Sequence, residues 1–399
     1  MTPSIPELAK RFQSYMVETR RSLHASPELS FHERTTSERV RAELNQLGIP
    51  YEMAGDYGVV ATIEGNNTRQ MVALRADMDA LPIHEKNDHL SYRSATPGVM
   101  HACGHDGHVA MLLGAAKVFL QCRDQMDGTV KLCFQQAEEK GGGTQEILKI
   151  LAPYPVKSAF AIHLWSEIDS GKFSVQAGPR MAAGDNFEIV VHGVGCHGAN
   201  PHRGVDPIVV AASIVTNVSH LISREIDPSH ATALTFGKLH SGEAANVIPD
   251  KAVLAGTIRT TVREDQVHLQ AALRRVVQNT AEAHRATAEV SIKRGGPMLF
   301  NHAGCSQLAE ETVRELFGAE QLIAFAPLMV SENFGDFLEV YPGIMALIGV
   351  RNEACGANFP HHHPQFNIDE DALHLGAALH VGYAFTCFRS APTFGQTAV

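Results

Sequence analysis

Several stretches of the chain carry residue types able to bind a metal or move a proton. The loop MHACGHDGH sets Cys103 and His105 two residues apart, directly before an Ala- and Leu-rich run. At a helix start both side chains can turn toward one point, and the helix N-terminus favours a thiolate there. FQQAEEKGGG places Glu138 beside Glu139. In extended backbone such neighbours point to opposite sides, so one carboxylate can bind a cation while the other acts as a base. His163 interrupts the apolar run SAFAIHLW, where an imidazole is costly without a partner. MVALRADMD ends in Asp77 and Asp79, and NFPHHHPQF holds His361, His362 and His363. Sulfur, imidazole and carboxylate together suit Mn, Zn, Co or Ni. GVGCHGANPHRGVDP carries His197, and NVIPDKAVLAGTIRT carries Asn246 and Arg259. Taken alone, these last residues read as solvated loop groups.

The elements that must position these groups follow from apolar periodicity. A helix is expected over 4–24 and another over 33–47, with strands at 59–63, 71–78, 129–136 and 158–165. Between the second and third of those strands lies GHVAMLLGAAKVFLQC, a helix. Strands apolar on both faces, alternating with helices, predict a mostly parallel sheet flanked by helices. In such a sheet ligands bind beyond the carboxyl ends of the strands, which is where Asp77, Glu138, Glu139 and His163 fall. From 184 to 295 the order changes to strand 187–193, helix 205–223, strands 232–240 and 252–260, helix 264–284 and strand 288–294. That βαββαβ order predicts an inserted α+β ferredoxin-like domain. A helix near 304–317, a strand at 344–350 and a helix from Asp369 to about Cys387 return to the first domain, giving 1–183 with 296–399 as one domain and 184–295 as the other.

Composition narrows the class. Of 399 residues, 44% are hydrophobic and 19% charged, which is enough apolar material for ordinary cores in about two domains and excludes a disordered or collagen-like chain. The formal charge of −10, without a basic run, predicts no nucleic-acid partner and no anionic membrane surface. Seven scattered Cys without a CxxC pair argue against a disulfide framework and for a reducing, cytoplasmic setting. The N-terminal residues mix charges throughout and lack an apolar leader core, and no run reaches the roughly 18 uncharged apolar residues needed to span a bilayer. The anomalous count is 22 His, which raises the metal question without answering it.

Taken in order, LRADMDALP, MHACGHDGH, FQQAEEKGGG, AIHLW, GCHGANPHRGVDP, NVIPDKAVLAGTIRT and the His-Pro segment near 362 closely resemble the M20 metallopeptidase family, specifically its amidohydrolase branch of hippurate hydrolases, N-acyl-amino-acid deacylases and auxin-conjugate hydrolases. The similarity begins at LHASPELSFHE (23–33) and runs nearly the whole chain. It implies a catalytic domain with two divalent metal ions and an inserted lid domain. It further implies Cys103 as bridging ligand, with His105, Glu139, His163 and His362 as the others, Glu138 as general base and Asp77 as a partner that supports the ligands from outside their circle. The His triplet departs from the single His usual before the Pro, and spacing selects His362. His197 is the implied oxyanion donor, and Asn246 and Arg259 are the implied contacts of a substrate carboxylate or tetrahedral intermediate. The implied reaction is hydrolysis of small N-acyl-amino acids by a homodimer joined through the lids. A dipeptidase or carboxypeptidase with the same metal centre is the alternative.

Overall fold

The computed structural model describes residues 3–390. It divides into two compact units. The first comprises the chain up to Gly178, Phe300–Ala326 and the segment from Asn333 onward; the second comprises Pro179–Leu299 and Pro327–Glu332.

In the first unit, helices α1 (Ile5–Arg11), α2 (Gln13–Ala25) and α3 (Arg34–Gln46) precede strands β1 (Tyr51–Ala54), β2 (Gly58–Glu64) and β3 (Met71–Asp77). Helix α4 (His105–Gln121), strand β4 (Thr129–Gln135), helix α5 (Thr144–Leu151) and strands β5 (Val156–Asp169) and β6 (Phe173–Ser174) follow. The strand Gly343–Arg351 completes a seven-stranded sheet in the order β1, β2, β4, β3, β5, Gly343–Arg351, β6. The four central strands are parallel, while β1 and β2 at one edge and β6 at the other are antiparallel. All seven residues of β3 and of β4 are buried. That is the reason their sequences read as mainly apolar runs without strict alternation: helices cover both faces.

Three expectations change in detail. The helix expected over 4–24 is two helices broken at Phe12, which caps one and opens the next. The strand expected over 158–165 extends to Asp169, because pairing with Gly343–Arg351 continues past His163. The last helix starts at Leu373, after a 3-10 turn at Glu370–Ala372 that the Asp369 side chain caps. Helix α4 is nearly all buried, and Gly107 lets it press on β5: a β-carbon there would lie 2.5 Å from Leu164 Cδ1. The close approach brings the start of α4 against the residue that follows His163.

The second unit has the βαββαβ order. Its antiparallel sheet runs Thr232–Ser241, Lys251–Thr260, Ala183–His192, Thr287–Arg294. Helices Pro207–Glu225 and Arg263–Ala283 share one core with it, built on Phe187, Ile189, Val191, Ile214, Leu254 and Leu273. Alternating burial along Ala183–His192 shows one covered face. Helix Pro207–Glu225 is long and apolar enough to cross a membrane by length and composition alone, and its Val210, Ile214, Val218 and Leu221 are buried in that core. The 184–295 insertion lies inside this unit. Pro327–Glu332 joins it through backbone bonds from Ala182 to Leu328 and Val330, a return that no local pattern signals.

Candidate metal centre

Four side chains implied as ligands arrive from separate elements of the first unit. Cys103 and His105 come from the loop before α4 and its first residue, His163 from within β5, and Glu139 from the 3-10 turn Glu138–Lys140 after β4. His362, the fifth, comes from the loop beyond Gly343–Arg351. Their donor atoms converge. Cys103, His105 and His163 form one group within 4.8 Å of one another, and Cys103, Glu139 and His362 form another. The thiol is common to both. His105, Glu138 and Glu139 make a third such group.

The local hydrogen bonds fix which atoms face inward. His105 donates from Nδ1 to the Asp79 carbonyl at 2.9 Å, which leaves Nε2 as an acceptor. His163 donates from Nδ1 to the Leu164 carbonyl at 2.8 Å, and its Nε2 faces Cys103 Sγ at 3.6 Å. His362 Nε2 lies 3.5 Å from Glu139 Oε1, and His105 Nε2 lies 4.0 Å from the same oxygen. His105 Nε2 and Glu139 Oε1 are buried with no hydrogen-bond partner among the described residues. Converging acceptors without a donor are costly and fit a cation. The donor set, one thiol, imidazoles and a carboxylate, is that of a transition-metal site.

Other histidines nearby are already engaged. His108 donates from Nδ1 to Asp77 Oδ1 at 2.6 Å and accepts the Leu164 N–H at Nε2. His361 donates from Nε2 to the Leu164 carbonyl and accepts Ser166 Oγ–H at Nδ1, and it stacks on Trp165. His363 accepts the Gln365 N–H at Nδ1 and stacks on Phe359. Of the triplet, only His362 belongs to a donor group. Its backbone turns there through a left-handed conformation, φ 62°, while its N–H bonds Ala102.

Electrostatics follow from burial and partners. Burial disfavours the Asp77 carboxylate, but Arg75 at 2.7 Å, His105 and His108 outweigh it and hold its pKa well below the usual range. Burial lowers the pKa of His105, yet Asp77 and Cys103 more than offset that and raise it. Burial, then His108 and His361, lowers the pKa of His163. The Cys103 thiol moves against the sequence expectation: burial and the Glu139 carboxylate push it well above the ordinary value, overriding the helix start. A cation is what reverses this, since it competes directly with the protons on sulfur and imidazole.

The Glu pair is not extended. It sits in a 3-10 turn after Ala137, and one carboxylate, Asp79, accepts both backbone amides, Glu138 N at 3.1 Å and Glu139 N at 3.0 Å. Glu138 Oε1 accepts the Asn333 N–H at 3.3 Å. The side chain of Asn333 in turn ties to Arg75, Gln135 and Gly142. The sequence offers Asp79 as a possible metal ligand, whereas here it accepts two backbone amides, and it gives Asn333 no role. The DMD spacing was a usable signal for Asp79; nothing local marks Asn333.

In the second unit, His197 and Asn246 are exposed neighbours. His197 pairs with Val247 in a two-stranded ladder, and Gly198 donates to the Asn246 carbonyl at 2.8 Å. Arg259 lies on Lys251–Thr260 and donates to Ser331 Oγ at 2.6 Å.

An α/β sheet with sulfur, imidazole and carboxylate donors gathered toward the carboxyl side of its central strands has the makings of a metal-binding site. Residues 73–386 match the model of peptidase family M20/M25/M40, and the chain belongs to that family. It is 39% identical over 389 residues to IAA-amino acid hydrolase ILR1-like 2 of Arabidopsis thaliana, covering 96% of this chain and 88% of that one. It is 38% identical over 376 residues to thermostable carboxypeptidase 2 of Saccharolobus solfataricus, covering 93% and 95%. Among solved structures, the Bacillus subtilis YXEP protein, described as a dinuclear metal binding peptidase from the M20 family, superposes with a TM-score of 0.82 at 31% identity, covering 94% and 98%.

Proposed function

We propose that this M20 hydrolase cleaves the amide bond of N-acyl-amino acids, releasing a carboxylic acid and a free amino acid, with two divalent ions per chain. The observation that carries the reading is the pair of donor groups sharing Cys103, with Glu138 beside them. In this reading Cys103, His105, Glu139, His163 and His362 would hold the ions, while Asp77 orients His108 and the Asp79 carbonyl fixes His105 from behind. Bound ions would polarise the scissile carbonyl and lower the pKa of water.

Glu138, held by Asn333, takes the proton of the attacking water and passes it to the departing nitrogen. His197 donates to the developing oxyanion, a contact whose loss typically costs about 2.7–4 kcal/mol. Asn246 and Arg259 grip the substrate carboxylate, for which a guanidinium is suited by shape. The relatives named above include both an amino-acid-conjugate hydrolase and a carboxypeptidase, so the acyl-side specificity is the point under test. Metal-reconstituted protein assayed on N-acetyl-, N-benzoyl- and indole-acetyl-amino acids beside dipeptides decides it. Faster turnover of the N-acyl compounds is expected; dipeptides cleaved faster would make it a peptidase. A homodimer joined through the second unit belongs to the same proposal. Its test is complementation: His197→Ala mixed with Glu138→Gln regains activity if His197 serves the partner's site and stays inactive if it serves its own.

A further inference from the structure

The segment Ser30–Glu33 grips the turn that carries the Glu pair, and neither metal binding nor proton transfer uses it. Ala137, immediately before Glu138, is left-handed at φ 59° and ψ 37°, a conformation that a β-carbon disfavours. Three successive amides from this residue onward bond to buried carboxylates. Asp79 accepts those of Glu138 and Glu139, and Glu33 Oε1 accepts that of Ala137 at 2.6 Å. Ser30 Oγ in turn donates to Asp79 Oδ2 at 2.6 Å, so one short segment supports both carboxylates.

Glu33 is wholly buried, and its second oxygen has no hydrogen-bond partner among the described residues. An apolar side chain of the same length would suit that position better if packing were its only task. Burial, with Asp79 adding to it, raises the Glu33 pKa to about 7, a measure of how poorly the site tolerates the charge. At this turn the carboxyl group supplies an acceptor to the strained residue that sets the direction of Glu138.

We propose that Glu33 is a positioning residue for the reaction: by accepting the Ala137 amide it holds the left-handed turn that aims Glu138. The inference rests on Glu138 being the base. Removing the acceptor disturbs the aim of that base, so kcat falls while KM and metal content hold, whereas a merely structural residue would lower stability and metal content together.

The test compares Glu33→Met, which fills the space without an acceptor, with Glu33→Gln, whose amide oxygen still accepts. Both are assayed as full-length, metal-loaded protein on whichever N-acyl-amino acid of the panel the parent chain cleaves fastest. Glu33→Met should lose about tenfold or more in kcat, the equivalent of one strong hydrogen bond, while Glu33→Gln keeps at least a third of it. Amide exchange of the segment around Ala137, followed by mass spectrometry, should speed up in Glu33→Met and stay slow in Glu33→Gln. Parental kcat in the Met variant, equal losses in both variants, or unchanged exchange overturns the proposal. If Glu138→Gln keeps full turnover, the reading of the base fails instead, and the exchange data still decide whether Glu33 holds the turn.

Discussion

Beside the metal centre lies a buried ion cluster whose loss should destabilise the first unit. Arg20 is completely buried. It donates from Nε to Asp106 at 2.8 Å and from its terminal nitrogens to Asn367 at 3.0 Å and Glu370 at 3.2 Å. Asp106 follows His105 directly and is also buried, so Arg20→Met takes the permanent cation from a core carboxylate and leaves it only His24 as a charged partner. Removing one partner of such a pair typically costs about 3–5 kcal/mol. Neighbouring Arg21 also pairs with Glu370, at 2.6 Å, but its side chain is 46% exposed. For an exposed pair the cost is at most about 1 kcal/mol, so Arg21→Met is the control.

The chain has a single tryptophan, Trp165, buried in the first unit against His361. Its fluorescence therefore reports unfolding of that unit. With an m-value of about 3 kcal/mol/M, Arg20→Met should lower the urea midpoint by roughly 1–1.7 M and Arg21→Met by no more than about 0.3 M. Equal midpoints for the two variants would refute the claim that burial decides the outcome.

His24 bonds Asp106 through Nδ1 at 2.8 Å and Glu85 through Nε2 at 3.1 Å. Burial and Arg20 lower its pKa, but those two carboxylates outweigh them and raise it above 6.5, so its contribution is complete below 6.5 and is lost as pH rises through the raised value. The midpoint gap between parent and His24→Gln should accordingly be widest at or below pH 6.5 and narrow on going alkaline; a gap independent of pH would contradict it. His362→Ala should lose metal, whereas His361→Ala and His363→Ala should retain it, because both of the latter are engaged elsewhere; metal analysis of the three variants checks this. Glu139→Gln should lose metal while Glu138→Gln keeps it and loses nearly all turnover. The reverse pattern would exchange the two roles.

Much of the fold was legible because its signals are periodic. Mainly apolar runs without strict alternation marked the buried parallel strands, and the alternation and order of the second unit marked its βαββαβ sheet. What stayed hidden depends on long-range closure. The antiparallel edges follow from which strands meet, and Pro327–Glu332 joins the second unit through backbone bonds to Ala182 and Arg180 and a side-chain bond from Arg259 to Ser331. In the site, residue type exposed the donors, since a His inside an apolar strand or a Cys two residues from a His stands out. Their orientation did not show, because His361, His362 and His363 look alike in sequence. Which of them faces Glu139 is set by Leu164, Ser166 and Gln365, residues with no chemical signature. Glu33 and Asn333 escaped for the same reason, as did the part that Asp79 plays: each acts through backbone amides.

Metal content of the purified chain before and after Cys103→Ala tests the central claim most directly. Two groups of donors meet at this one sulfur, so the account predicts about two divalent ions per parent chain and at most one in the variant, with turnover lost. Equal metal content in both proteins would contradict it.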